Sequence, residues 1–211
     1  GGIGGPCIAG ELAIGRDTSA VVAFPDATVL AELIDLLRAP SYHPHPSTDV
    51  VGVEACAALK NLLALGVAAA TQDPDGAHPP HGELCNPPAA LFTQALAELG
   101  HMVRALGGQP ETVHGLAGVG DLYVTCEGGR NGRMGRLLGQ GLRYSEAKAT
   151  HMPDDTIEGA ELALQVGPVL MRWCEAGRLD PATVPLTRAL IDAICHDRPL
   201  AIPWAQCHRV L

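Results

Sequence analysis

The run ACAALKNLLALGVAAA, residues 55–70, restricts the fold more than any other stretch of this chain. It is made of small and apolar residues, contains no proline, and carries a single charge, Lys60, with Asn61 beside it. A helix over about 51–72 satisfies the backbone of such a segment internally. Burying a lone ammonium is costly, so Lys60 either snorkels to water or occupies a prepared site. The run is too short, and too marked by its lysine, to read as a membrane span.

Other helices follow from the same periodicity. One is predicted over Pro88 to about Leu106, stopped by Gly107 and Gly108. Two more cover 184–197 and 156–176, the latter interrupted at Gly167-Pro168. The first fifty residues differ. TSAVVAF (18–24) is a short β-branched run that predicts a strand, and ATVLAELIDLLRA (27–39) predicts a helix with Asp26 as its N-cap. Pro40 ends that helix, and SYHPHPSTDVVG reads as a turn-rich connection with room for one short edge strand. The glycines at 1, 2, 4 and 5 have no strand before them and read as a loop. No G-x-G-x-x-G loop joins a first strand to a first helix. The expected division is a partial α/β portion, 1–49, and a helical domain, 50–211.

Composition narrows the function. Aromatic residues are only 3% of a chain that is 47% hydrophobic, so the core must be built from Leu, Val and Ala. The net charge of -9 disfavours broad contact with nucleic acid or anionic lipid, while leaving room for a local cationic pocket. Seven cysteines without C-x-x-C spacing read as free thiols in a reducing compartment. The N-terminus lacks the basic and apolar regions of a signal peptide, and a cytoplasmic protein is expected.

Against that acidic background, Arg130, Arg133, Arg136 and Arg143 form a positive island with no acidic residue between Gly128 and Ser145. A helix starting near Arg130 adds N–H groups and the positive end of its dipole, which suits an anion. Arg133 and Arg136 read more simply as a solvated face. Asp121, with Thr125 four residues on, could pair with a lysine, orient it, or cap a helix. His78, His81, Glu83 and Cys85 have metal-ligand spacing, but nothing in a proline-rich loop holds them convergent, and no metal is expected. His43 and His45 read as surface residues.

These segments together carry a family pattern. GVEACAALKNLLALGVA resembles the G-x-E-x-x-x-A-L-K-N helix of NAD(P)-dependent glycerol-3-phosphate dehydrogenases. GLAGVGDLYVTCEGGRN resembles that family's G-L-A-G-x-G-D-L-x-x-T-C segment and the R-N pair after it. GGPCIAGELA resembles a strand-to-helix segment late in its nucleotide-binding domain, and IEG at 157–159 matches a further element in order. The implied fold is mainly α, an all-helical dehydrogenase C-terminal domain preceded by a short α/β remnant of a Rossmann-like domain. The implied activity is interconversion of sn-glycerol 3-phosphate and dihydroxyacetone phosphate with NAD or NADP.

By the same resemblance, Lys60 is the general acid/base, paired with Asn61. Asp121 is the acidic partner near the substrate, with Thr125 helping to hold it. Arg130 and Asn131 bind phosphate groups of substrate and cofactor, and Glu158 meets the cofactor's ribose region. The partners implied are a small phosphorylated substrate and, from the apolar helical faces, a second copy in a homodimer.

Departures from the pattern bear on substrate. Gly132 stands where the family often has a second arginine, Pro87 and Pro88 replace a lysine region, and Gln94 stands where an arginine is common. They keep open a relative acting on another phosphorylated hydroxy compound. A non-catalytic remnant or partner subunit that retains a phosphate site is the other alternative.

Overall fold

The computed structural model describes residues 1–73 and 84–208. A small β-α-β-α-β portion comes first, followed by a mostly α-helical remainder. The described chain packs as two units, one of residues 1–58 and 99–124, the other of 59–98 and 125–211.

In the first unit, strands β1 (Gly2–Gly4), β2 (Thr18–Ala23) and β3 (Tyr42–Ser47) form a sheet in that order, with α1 (Ala9–Ala13) after β1 and α2 (Ala27–Leu37) after β2. The glycine cluster expected to be a loop is therefore strand β1, antiparallel to β2 with Gly2 opposite Ala23 and Gly4 opposite Val21. Pairing with a β-branched neighbour supplies what local propensity does not. β3 runs parallel to β2, and the Ser41 and Ser47 carbonyls accept from Thr18 and Phe24. That register turns the nitrogens of Pro44 and Pro46 away from β2, where a missing donor breaks no ladder bond. Helix α2 starts as predicted, because Asp26 Oδ1 accepts from the Thr28 and Val29 N–H groups at 2.8 and 3.1 Å. Its apolar face, Leu30 and Ile34, is buried with Val22, and Phe24, Leu33 and Leu37 pack around them.

Helix α3 (Val50–Ala69) opens in this unit on Asp49, a buried carboxylate. Asp49 accepts from Gly52 N–H at 3.0 Å, Gln109 N–H at 3.0 Å and the Thr112 hydroxyl at 2.6 Å. Burial raises its pKa, but these three hydrogen bonds prevail and hold it below the usual carboxylate range. One side chain thus joins the start of α3 to the turn after α4 (Asn86–Leu106), where Gly107 ends the helix at φ +94°.

In the second unit, α3 packs against α6 (Gly129–Gly139), α8 (Glu158–Glu175) and α9 (Pro185–Cys195), α4 reaches α9 through Glu98, and α7 (Tyr144–His151) lies against α6; the short α5 (Asp121–Glu127) passes from the first unit into the second. The buried apolar residues of the described chain are Ala, Val, Leu, Ile, Met and Cys, with no aromatic ring among them. α3 extends beyond the apolar run 55–70 at its N-terminal side and so reaches the length and apolarity of a membrane span, but 61% of that window is buried within the protein. Helix α8 corrects a second expectation, since it runs through Pro168 without interruption. The carbonyl that loses its partner is that of Leu164, an exposed residue, so water can satisfy it.

Glu98 on α4 is fully buried, and sequence reading did not single it out. Its carboxylate accepts from Gln94 Nε2 (2.8 Å), the Leu186 and Thr187 N–H groups (both 2.7 Å) and the Thr187 hydroxyl (2.6 Å). It caps α9 across the core, satisfying N–H groups that a helix start leaves without partners. Burial dominates its titration and raises its pKa, against the opposing effect of those bonds.

Candidate functional site

Lys60 and Asn61 sit half-buried on α3, where the helix enters the second unit. Lys60 Nζ donates to Thr125 Oγ1 at 3.1 Å, so the ammonium of the apolar run has a fixed polar neighbour near the end of α5. Next to Thr125, the Cys126 thiol is pushed up to about 12, mainly by burial and also by Glu127, while the charge of Lys60 pulls the other way. That thiol is neutral at physiological pH and is no nucleophile.

Asn131 is the hub of the cluster and is 6% exposed. Its Nδ2 donates to Asn61 Oδ1 at 3.1 Å and lies 3.5 Å from Glu158 Oε2. Its Oδ1 accepts from the Gly159 N–H at 2.9 Å, filling an otherwise unmet donor in the first turn of α8. Gly159 is required here, because a Cβ would strike the backbone of Asn61. Arg130, in the first turn of α6, pairs through Nη2 with Glu158 Oε1, both side chains being about half exposed. Glu158 opens α8, where a carboxylate suits the positive helix end.

Six of the seven residues singled out from sequence, Lys60, Asn61, Thr125, Arg130, Asn131 and Glu158, thus belong to one unit and are linked as described. Asp121 belongs to the other unit, where it is buried at the start of α5 and its Oδ2 accepts from the Gly5 N–H at 3.3 Å. Arg133 donates to the His151 carbonyl at 2.7 Å and pairs with Asp155 at 3.5 Å, as a surface brace rather than a member of the cluster.

The departures have local reasons. Gly132 is buried, and a Cβ there would come within 2.9 Å of the Cys126 carbonyl, so the tight turn between α5 and α6 leaves no room for a side chain. Gln94 belongs to the Glu98 network and also accepts from His208 N–H at 2.8 Å. Pro87 and Pro88 lie in the first turn of α4, where a missing N–H breaks no helical bond. His78, His81 and Glu83 lie outside the described residues, and Cys85 is exposed.

An ammonium, a guanidinium and two carboxamides are therefore placed within one unit, around the starts of two helices. The family model for the C-terminus of NAD-dependent glycerol-3-phosphate dehydrogenase matches residues 49–201. The chain belongs to this family. It is 36% identical over 200 residues to glycerol-3-phosphate dehydrogenase [NAD(P)+] from Halorhodospira halophila, covering 94% of this chain and 55% of that protein. The crystal structure of the glycerol-3-phosphate dehydrogenase from Coxiella burnetii is similar with a TM-score of 0.75 at 30% identity, over 97% of this chain and 57% of that one. The enzyme from Saccharomyces cerevisiae matches with a TM-score of 0.78 at 25% identity, over 95% of this chain and 57% of that one. The chain thus spans about half the length of the glycerol-3-phosphate dehydrogenases it matches. It carries the C-terminal domain of an NAD(P)-dependent oxidoreductase family, and all the residues of the cluster fall inside the matched region.

Proposed function

We propose that this chain supplies the substrate-binding and proton-transfer half of an enzyme interconverting sn-glycerol 3-phosphate and dihydroxyacetone phosphate. The observation that carries the proposal is the continuous side-chain linkage of Asn61, Asn131, Glu158 and Arg130, with Lys60 adjacent to Asn61 and bonded to Thr125. In this reading the guanidinium of Arg130 and the amide of Asn131 hold the substrate phosphate, since a fork of N–H donors matches phosphate oxygens. Lys60 faces the reacting oxygen. In the reducing direction its ammonium stabilises the negative charge on that oxygen and gives it a proton; in the oxidising direction the neutral amine takes the hydroxyl proton. Thr125 holds the lysine headgroup in place.

NAD or NADP, when bound, takes up or delivers the hydride. Arg130 and Glu158 are the side chains here that suit its polar groups, whereas the chain contains no G-x-G-x-x-G loop to cradle a pyrophosphate. The domain division at 49/50, a cytoplasmic setting consistent with seven free cysteines, and a homodimer built on apolar helical faces belong to the same proposal. A second reading rests on the same cluster: Arg130, Asn131 and Glu158 suit a phosphate group whether or not Lys60 turns a substrate over, and the chain is then a non-catalytic subunit that keeps only the phosphate site.

The test is turnover by this chain joined to a relative's nucleotide-binding domain. Lys60→Met should lower kcat about 10²–10⁴-fold with little change in thermal stability. Near-normal turnover would remove Lys60 from the mechanism. An inactive parent fusion that still binds glycerol 3-phosphate would favour the second reading.

A further inference from the structure

The Arg130–Glu158 pair has a property that a purely structural ion pair does not need. Glu158 spans both donors assigned above to a phosphate group: Oε1 takes the Arg130 guanidinium, and Oε2 lies 3.5 Å from Asn131 Nδ2. The Asn131 side chain is fixed independently of Glu158, by Asn61 Oδ1 at 3.1 Å and the Gly159 N–H at 2.9 Å. Arg130 is different. Its side chain is 50% exposed and that of Glu158 is 41% exposed, so water reaches both and their separation leaves neither charge buried.

We propose that Glu158 is the resident anion of the Arg130–Asn131 site, a built-in competitor that an arriving phosphate group must displace. The inference rests on the assignment of these two residues to phosphate. A carboxylate guest offers Arg130 little beyond what Glu158 already supplies. A phosphate monoester brings a second charge and a third oxygen, and can hold Arg130 and Asn131 together. Glu158 therefore sets a threshold that singly charged anions do not pass, an example of specificity obtained by placing a repulsive element in the site. Because Glu158 opens α8, its release from Arg130 leaves it at a positive helix end, where its charge is still accommodated.

The experiment is calorimetric titration of this chain with inorganic phosphate and with glycerol 3-phosphate at low ionic strength, for wild type, Glu158→Gln, Glu158→Ala, Arg130→Ala and the Arg130→Ala/Glu158→Gln double variant. Removing the competitor should tighten binding of both ligands by about two- to fivefold in either Glu158 variant, the range expected for an exposed ion pair. The gain should shrink as salt approaches 1 M, where screening acts over about 3 Å. It should vanish when Arg130 is absent. Unchanged or weaker binding in both Glu158 variants, with wild type binding through Arg130, overturns the competitor role and shows that Glu158 only positions the arginine. Arg130→Ala binding phosphate as well as wild type, or no binding by wild type and Glu158→Gln alike, overturns the phosphate assignment itself and the inference with it.

Discussion

Two glutamates of the second unit, Glu98 and Glu158, make the same kind of contact in opposite settings. Glu98 is fully buried and receives three of its four hydrogen bonds from the start of α9, two of them from backbone N–H groups that cannot leave without unwinding the helix. Glu158 is half exposed, and its partners are the tips of side chains. A carboxylate held by backbone donors is part of the frame. A carboxylate held by a long, solvated side chain is the one that, in the proposal above, a phosphate group displaces. The comparison separates a contact that fixes helices from one between exposed side chains.

The largest stability effect should come from the buried member. Glu98→Ala strands two helix N–H groups and the Gln94 amide without water, at a cost of about 3 kcal/mol. Chemical denaturation would measure it, and phosphate affinity of the folded fraction should be unchanged. A loss under 1 kcal/mol would erase the distinction between frame and exchangeable contact.

Asp49, in the first unit, sharpens the comparison. Like Glu98 it caps a helix and joins distant segments, yet hydrogen bonds outweigh burial for Asp49 while burial prevails for Glu98. The linkage signs are therefore opposite. The folded pKa of Asp49 is depressed, so its contribution is full above the unfolded value near 3.9 and is lost as pH falls through the folded pKa. Glu98 has a raised folded pKa, and its titration favours the folded state below the unfolded value near 4.3, a benefit lost as pH rises through the folded pKa. Asp49→Ala should cost about 2 kcal/mol at neutral pH, and less below pH 4. A cost that stays constant from pH 7 to pH 3 would contradict the assignment.

Asn131 lies between the two extremes, buried yet linked to exposed charges. Asn131→Ala should cost about 1–2 kcal/mol through the unmet Gly159 N–H, and should also weaken phosphate binding. An effect on only one of the two measurements would place Asn131 wholly with the frame or wholly with the ligand site.

Much of this was readable before any coordinates. Strand β2, helix α2 and the Asp26 cap depend on contacts within a few residues, which local spacing records. Lys60 and Arg130 stood out as charges against an apolar run and an acidic background, and the resemblance to a known family gave them roles and added Glu158. Spacing alone left Asp121 open among three roles, and it read Arg133 as a solvated face without showing the His151 carbonyl that it braces. β1 was missed because glycine carries no strand signal, and its pairing partners are about twenty residues away. The continuity of α8 through Pro168 depended on which carbonyl faced solvent, a property of packing.

By itself, the sequence determined the local elements, the coreward apolar faces and the inventory of charged groups, because those depend on neighbours along the chain. Only the tertiary structure decided what each charge meets. Glu98 reaches Leu186 and Thr187 across the chain, Asn131 reaches back to Asn61, and Arg130 meets Glu158. Such contacts arise when helices pack closely enough, as Gly159 permits against Asn61, for side chains distant in sequence to share donors and acceptors. Hydrogen-bond geometry is short-ranged, and chain separation carries no record of it.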